Sequence, residues 1–364
     1  MRSKKHPLDS GGMSSTSPLV LITGATGFVG SHVVHQAISA GYPVRLVTRP
    51  GKDGALCSLY DASKNVDVVV IEDIASSDFT EALRGVGAVI HVASPNAGRS
   101  SPEGMISGAV NGTLNIVKQA TAAGVKRIVV TSSLTALADI TSDFYARRTH
   151  ADTDWNEVTK ESVLDGTHEN DALCVYSASK AIAERELWKF ADAHPEVDIT
   201  TILPCMVYGP IAPGIKLTKE GLANYSTAAW FYQALLPPAG QQAKLKPVQD
   251  TVPMTVDVRD VARAHVLALS AAESSSVRRK RLLVAGETFL FKDAVEHLAK
   301  VRPELRDRLP DTSEAKPLLE QVNIMDTSRT KEVLGITEFI DWRKTVEDSV
   351  QSFLDIEKSW GETN

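Results

Sequence analysis

Cysteine is scarce in these 364 residues. Cys57, Cys174 and Cys205 are an odd number without metal-type spacing, which argues against a disulfide framework or a thiolate metal centre and suits a reducing compartment. Long apolar runs are missing too: no stretch approaches the roughly 18 uninterrupted apolar residues that a membrane span needs. Residues 1–17 are rich in Ser, Gly, Lys and Pro, hold no apolar core for a secretion signal, and read as a disordered tail, with Met13 as a second candidate start. Nor is positive charge in excess. The 39 Lys and Arg stand against 45 Asp and Glu, a net charge of -6, which gives no electrostatic reason to expect nucleic acid or an anionic membrane as partner. What the chain does have is a 43% hydrophobic content over a length that accommodates one large α/β domain and a smaller lobe, expected in the cytoplasm as a monomer or homodimer, with no metal.

The apolar run Leu19 to Thr23 leads into Gly24-x-x-Gly27-x-x-Gly30 and then into the helical period of Val33, Val34 and Ala37. That is a strand, a tight turn and a helix. Glycines there let the backbone approach a pyrophosphate, while the helix N-terminus offers unpaired N–H groups to the anion. The next strand, Val44 to Thr48, ends at Arg49, where an enzyme for the unphosphorylated dinucleotide carries Asp or Glu. A guanidinium there suits the 2'-phosphate of NADPH, with Lys52 close by as a second positive charge. Short β-branched runs continue to alternate with helical periods, the sequence form of a Rossmann-type, doubly wound parallel sheet. Val66 to Ile71 reads as the third strand, with Asp73 at its end able to accept a hydrogen bond from an adenine amino group. Ala88 to Val92 reads as the fourth, followed by the small residues Ala93 and Ser94 against which a cofactor can lie. A helix from about Glu103 to Ala123 precedes the fifth strand, Arg127 to Thr131, which ends at Ser132-Ser133.

Tyr176 and Lys180 stand four apart at the start of a further helical period, on one face. Such a pair alone is an ordinary surface feature. Its place after a fifth strand, downstream of a dinucleotide loop, gives it meaning: carbonyl reduction needs a proton donor beside the hydride source, and a neighbouring ammonium favours tyrosine ionisation. A strand-end serine, Ser132 or Ser133, completes the set by hydrogen-bonding the carbonyl oxygen as negative charge develops.

Taken with Val110-Asn111-Gly112-Thr113, Pro204 to Pro210 and Val256 to Ala262, these segments resemble the extended short-chain dehydrogenases/reductases of the NAD-dependent epimerase/dehydratase family. Within it they are similar to the dihydroflavonol reductase-like group and the fungal methylglyoxal, aldehyde and ketone reductases, over residues 18 to 355. The resemblance implies NADPH-dependent reduction of a small-molecule aldehyde or ketone, with Ser133, Tyr176 and Lys180 as the catalytic trio. It implies cofactor contacts from Gly24, Ala25, Thr26, Gly27, Phe28, Val29, Arg49, Asp73, Ile74, Ala93, Ser94, Ser132, Tyr176, Lys180, Pro204 and Val207. Leu173-Cys174-Val175 replaces the run that precedes the catalytic lysine in cinnamoyl-CoA reductases, so a CoA thioester is not implied and Cys174 reads as structural. No clear match to the dihydroflavonol specificity segment falls between Asp139 and Asn170, so neither is a flavonoid. Hydroxysteroid dehydrogenases, epimerases and dehydratases share fold and trio and form the enzymatic alternative; a non-catalytic NADP-binding sensor forms the other.

The resemblance divides the chain into a nucleotide domain over 18–210 and a mainly substrate-binding lobe over 211–364, with 250–285 returning to the nucleotide domain. Pocket candidates are Asn96, Met105, Phe144, Tyr145, Val207, Tyr208, Ile211 and Trp230. Asp152-x-Asp154-Trp155-Asn156 reads as active-site surround. Asp260 reads as the cap of the helix that follows it. Arg278-Arg279-Lys280-Arg281 reads as a solvated basic loop.

Overall fold

In the computed structural model, described over residues 17–60, 65–94, 100–138, 147–165, 171–237, 244–245, 252–272, 279–315 and 322–361, the β-branched runs form strands, and those at the centre of the main sheet bury both faces. They are β1 (Leu19–Thr23), β2 (Val44–Thr48), β3 (Val66–Val70), β4 (Val86–His91), β5 (Arg127–Thr131), β6 (Thr149–His150), β7 (Asp198–Pro204), β8 (Met206–Tyr208), β9 (Thr255–Asp257), β10 (Lys280–Val284) and β11 (Ile324–Met325). Seven of them make one sheet in the order β10-β7-β5-β4-β1-β2-β3, every pairing parallel. Val20 and Ile22 of β1 pack with one helix layer and Leu21 with the other, which is why the strand is apolar throughout instead of alternating.

The helices are α1 (Phe28–Ser39), α2 (Asp53–Tyr60), α3 (Pro102–Ala122), α4 (Lys160–Val163), α5 (Ala172–Ala193), α6 (Lys219–Ala223), α7 (Ser226–Leu235), α8 (Val258–Ala268), α9 (Phe291–Val301), α10 (Ser328–Leu334) and α11 (Trp342–Gly361). α1 and α8 cover one face of the sheet, α3 and α5 the other. Ser101 caps α3 with Pro102 behind it, and the Asp171 carboxylate caps α5 by accepting from Leu173 and Cys174 N–H at 3.1 and 2.9 Å. Because β1 and β4 are neighbours while the chain leaves β1 for β2 on the opposite side, the sheet reverses direction between them. Ligands of such sheets bind in the crevice outside those strand ends.

Beyond β7 the chain builds the pair β8–β9 and packs α7, α9 and α11 around an aromatic cluster. Tyr208 stacks on Phe231 at 4.5 Å between ring centres, and Phe289, Phe291 and Phe353 surround them. The chain returns to the main sheet at β10, which pairs with β7. Asp257, at the end of β9, caps α8 by accepting from Arg259 N–H at 2.8 Å and also receives the Thr345 hydroxyl of α11. Asp260, expected at the cap, instead accepts from Ile340 N–H at 2.7 Å and pairs with Arg263 one turn along. The N-terminal tail 1–16, Pro95, Asn96, Phe144, Tyr145 and Arg278 lie outside the described residues.

Candidate active site

Gly24 has φ +73, and a Cβ on it would lie 2.7 Å from the Ala93 amide nitrogen, so β1's exit turn can sit against β4's exit only as glycine. At Gly30 a Cβ would stand 2.0 Å from the Gly24 carbonyl oxygen. The turn closes by Gly27 N–H donating to Gly24 O at 2.9 Å, and no side chain caps α1, which leaves the N–H groups of its first turn to an anion. The Thr23 hydroxyl accepts from Ala93 N–H at 3.2 Å and shares a hydrogen bond with His91 Nδ1 at 2.8 Å. Burial, and secondarily the charge of Lys180, lowers the His91 pKa to about 3 and holds the ring neutral.

Arg49 is exposed at the end of β2 and, among the described residues, has no side-chain hydrogen bond or ion pair. Its carbonyl accepts from Lys52 N–H, which brings the second cation into the same turn. Asp73 is placed at the strand end as expected, but its carboxylate is engaged locally, accepting from Ala75 N–H at 3.0 Å and Ser76 Oγ at 2.6 Å. The Ser76 hydroxyl and the Ala75 amide hold it below the usual aspartate value. Asn115 of α3 buttresses the turn by donating to the carbonyls of Ile74 and Ser77, both at 2.9 Å. Free backbone N–H groups, a glycine cradle and an unpaired guanidinium together suit a dinucleotide with a phosphorylated ribose.

At the mouth of the neighbouring strand, Ser132 and Ser133 are separated by function. Ser132 donates its hydroxyl to the Glu184 carboxylate at 2.6 Å. Ser133 accepts from Thr135 N–H at 3.2 Å and hydrogen-bonds the Tyr176 phenol. Of the two candidates, only Ser133 meets the tyrosine. Lys180 donates to the Thr131 carbonyl at 3.2 Å, its pKa brought down to about 8 by burial against the opposing charge of Glu184. Tyr176 differs from expectation: burial pushes its phenol up to about 12, and the group that opposes this is Ser133.

Two buried ion pairs that the sequence reading missed lie on the sheet that carries the trio. Arg281 and Lys280 do not form a solvated loop; they belong to β10 with side chains only 2% exposed. Lys280 pairs with Asp198 at 2.6 Å. Arg281 donates Nε to Glu184 at 2.9 Å and Nη1 to the Asp152 and Asp154 carbonyls at 2.7 and 2.6 Å, while its guanidinium lies over Trp155 at 3.6 Å. The Asp152–Asn156 segment thus abuts the site: Asn156 Nδ2 donates to the Thr135 carbonyl at 2.9 Å, in the turn that follows Ser133. A cleft of about 800 Å3 opens beside that turn, with Leu137, Ala138, Asn156, Asp171 and Cys174 in its wall.

The pocket candidates fare less well. Met105 packs with Ile106, Val163, Val175 and Ala178; Tyr208 belongs to the aromatic core; Val207 and Ile211 are buried, and Trp230 is 55% exposed on α7.

The sequence pattern of the NAD dependent epimerase/dehydratase family matches residues 20–280. The Aspergillus niger ketoreductase azaE is 32% identical over 364 aligned residues, spanning 94% of this chain and 99% of its own length. The Penicillium rubens ketoreductase adrE is 31% identical over 84% of this chain and 86% of its own. Among solved structures, yeast methylglyoxal/isovaleraldehyde reductase Gre2 complexed with NADPH superposes with a TM-score of 0.78 at 24% identity, over 93% of this chain and 99% of that one. Among the described residues, no helix is long and apolar enough to cross a membrane.

Proposed function

This chain belongs to the NAD dependent epimerase/dehydratase family, and from that premise we propose that it is an NADPH-dependent carbonyl reductase, converting an aldehyde or ketone to the alcohol. The observation that carries the reading is the meeting of Ser133, Tyr176 and Lys180 beside the glycine turn. Relatives named as ketoreductases support the same chemistry.

NADPH, when bound, supplies the hydride that reaches the carbonyl carbon. The first-turn N–H groups of α1 and the Gly24 turn would hold the pyrophosphate, and Arg49 would take the 2'-phosphate. Ala93, Ser94, Pro204 and Val207 would form small and apolar walls, and Asp73 and Ile74 would line the adenine end. Tyr176 gives its proton to the carbonyl oxygen as negative charge grows there. With a pKa near 12 the phenol is fully protonated at neutral pH, as the reductive direction requires. Ser133, whose oxygen is used by Thr135 N–H, keeps its own hydrogen for the developing oxyanion. Lys180 places positive charge beside the phenolate that forms; one of its hydrogens is committed to Thr131 O. Residues 211–364 supply most of the substrate side, with 250–285 rejoining the nucleotide domain through β10.

The test is the loss of NADPH and, separately, NADH absorbance with methylglyoxal, an aliphatic aldehyde, an aromatic ketone, a β-keto ester, a dihydroflavonol and a 3-ketosteroid. NADPH-specific turnover is expected. Tyr176→Phe is expected to lower kcat by about 10²–10⁴ while leaving NADPH fluorescence binding intact; retained turnover in this variant overturns the reading.

A further inference from the structure

Glu184 is the most heavily hydrogen-bonded carboxylate near the reacting groups. Its side chain is 1% exposed and accepts from Ser132 Oγ at 2.6 Å, Thr201 Oγ1 at 2.9 Å, Trp188 Nε1 at 3.1 Å and Arg281 Nε at 2.9 Å. These donors arrive from β7, α5, β10 and the corner that ends in Ser133. Tyr176, Lys180, Glu184 and Trp188 follow at four-residue steps along α5, so the carboxylate lies one turn behind the ammonium on the same face. A buried ion pair is by itself weak evidence of stabilisation, because desolvation of both charges offsets much of their attraction. Its location is what calls for a reason.

We infer that Glu184 is a positioning residue for the reaction: its carboxylate, shared between the Ser132 hydroxyl and the Arg281 guanidinium, fixes the Ser132–Ser133 corner against Tyr176 and supplies the counter-charge for the Lys180 ammonium. The inference rests on the catalytic trio assigned above. Ser132 is anchored twice, through its hydroxyl to Glu184 and through its N–H to Ile202 O at 2.7 Å, so the next residue has little freedom. Arg281 is fixed in turn by the Asp152 and Asp154 carbonyls and by Trp155, which ties the loop beside the cleft to the same carboxylate.

The surroundings of Lys180 leave few other charges to play this part. From α5 come Tyr176 and Glu184; from β4 the neutral His91; from β5 the Thr131 carbonyl, behind which the α8 residue His265 is held neutral; from β10 Arg281, beyond the carboxylate. The α3 residues packed against this end of α5, Met105 and Ile106, are apolar. Burial disfavours the ammonium, and Glu184 is the group that opposes burial.

Glu184→Gln keeps shape and hydrogen-bonding capacity but removes the charge. The readouts are a side-chain NMR titration of Lys180 in the free protein, assigned with Lys180→Met, and the alkaline limb of kcat. Both midpoints are expected to move to lower pH by about one unit. Turnover at pH 8 then falls about fivefold, the loss of charged lysine such a shift implies, with KM for NADPH unchanged. Because Glu184→Gln leaves the Arg281 guanidinium without its carboxylate and is prone to unfold, Glu184→Gln/Arg281→Met, which removes that guanidinium as well, is made alongside and is expected to show the same acid displacement at Lys180. Midpoints that stay in place in a folded variant, with only the melting temperature altered, overturn the proposal. If no carbonyl is reduced even by the unsubstituted protein, the NMR titration still decides the role of Glu184, and the failure belongs to the functional reading.

Discussion

Ser132 and Ser133 are adjacent, yet the extended backbone at Ser133 (φ -160, ψ 156) turns their hydroxyls to different tasks. Ser133→Ala removes the donor that meets Tyr176 and is expected to lower kcat by about 10²–10³ with little change in melting temperature. Ser132→Ala strips a donor from the buried Glu184 and is expected to destabilise by about 1–3 kcal/mol. Arg49 presents the complementary case. It stands exposed and without a side-chain partner among the described residues, so Arg49→Asp leaves the fold untouched but exchanges a phosphate partner for a ribose hydroxyl partner. The NADPH-to-NADH ratio of kcat/KM is expected to fall at least tenfold; an unchanged ratio removes Arg49 from the site. Tyr176, Lys180 and the glycines were readable because their spacing is local. Glu184 and Arg281 were not: they stand 97 positions apart, and a run of four basic residues reads as surface until the sheet shows that alternate strand faces bury two of them.

At the level of elements, local pattern located β1, β2, β3, β5 and α3 to within a residue or two: Pro18 and Gly24 bound β1, Pro43 precedes β2, Ser101 and Pro102 open α3, and β3 and β5 stand out as β-branched runs. The cap of α8 shows where this fails. Asp257 and Asp260 are both acidic residues near the helix start, and the choice between them depended on Thr345 and Ile340, which α11 and the loop before it bring in from about 85 residues away. The substrate side was harder to read, because aromatic residues pack equally well in a core or a pocket, and here Tyr208 joined Phe231. The glycine turn carries its own test. Gly30→Ala drives a methyl group into the Gly24 carbonyl, backbone against backbone, so α1 must retreat from the turn. We expect a loss of about 1–3 kcal/mol by urea unfolding, accompanied by a rise of at least tenfold in the NADPH dissociation constant. Gly124→Ala, which has φ +84 but meets nothing within 4 Å, separates backbone strain from the close approach: stability drops there and cofactor affinity does not.

The whole molecule is joined by three buried neutral histidines. His32 of α1 bonds the Pro210 carbonyl at 2.9 Å where the chain passes from β8 toward α6. His91 of β4 hydrogen-bonds Thr23 of β1 at 2.8 Å. His265 of α8 donates Nδ1–H to Val261 O at 2.8 Å and accepts the Thr131 hydroxyl of β5 at 2.7 Å. Burial lowers all three from 6.5, to about 4 for His32 and His265 and about 3 for His91. The unfolded chain therefore binds protons that the folded one refuses. Their contribution is fully present above pH 6.5 and is lost as pH falls toward 4, each histidine withdrawing about 2 kcal/mol by pH 5. Aspartates whose pKa is lowered from 3.8, such as Asp73 and Asp348, act only at still lower pH and leave this window to the histidines. Urea midpoints are thus expected to change little between pH 7 and 8 and to drop steeply between pH 6.5 and 5. His265→Asn, which retains an acceptor for Thr131 but cannot take up a proton, should remove about a third of that slope. A stability profile level down to pH 5 shows that these histidines do not stay neutral in the fold.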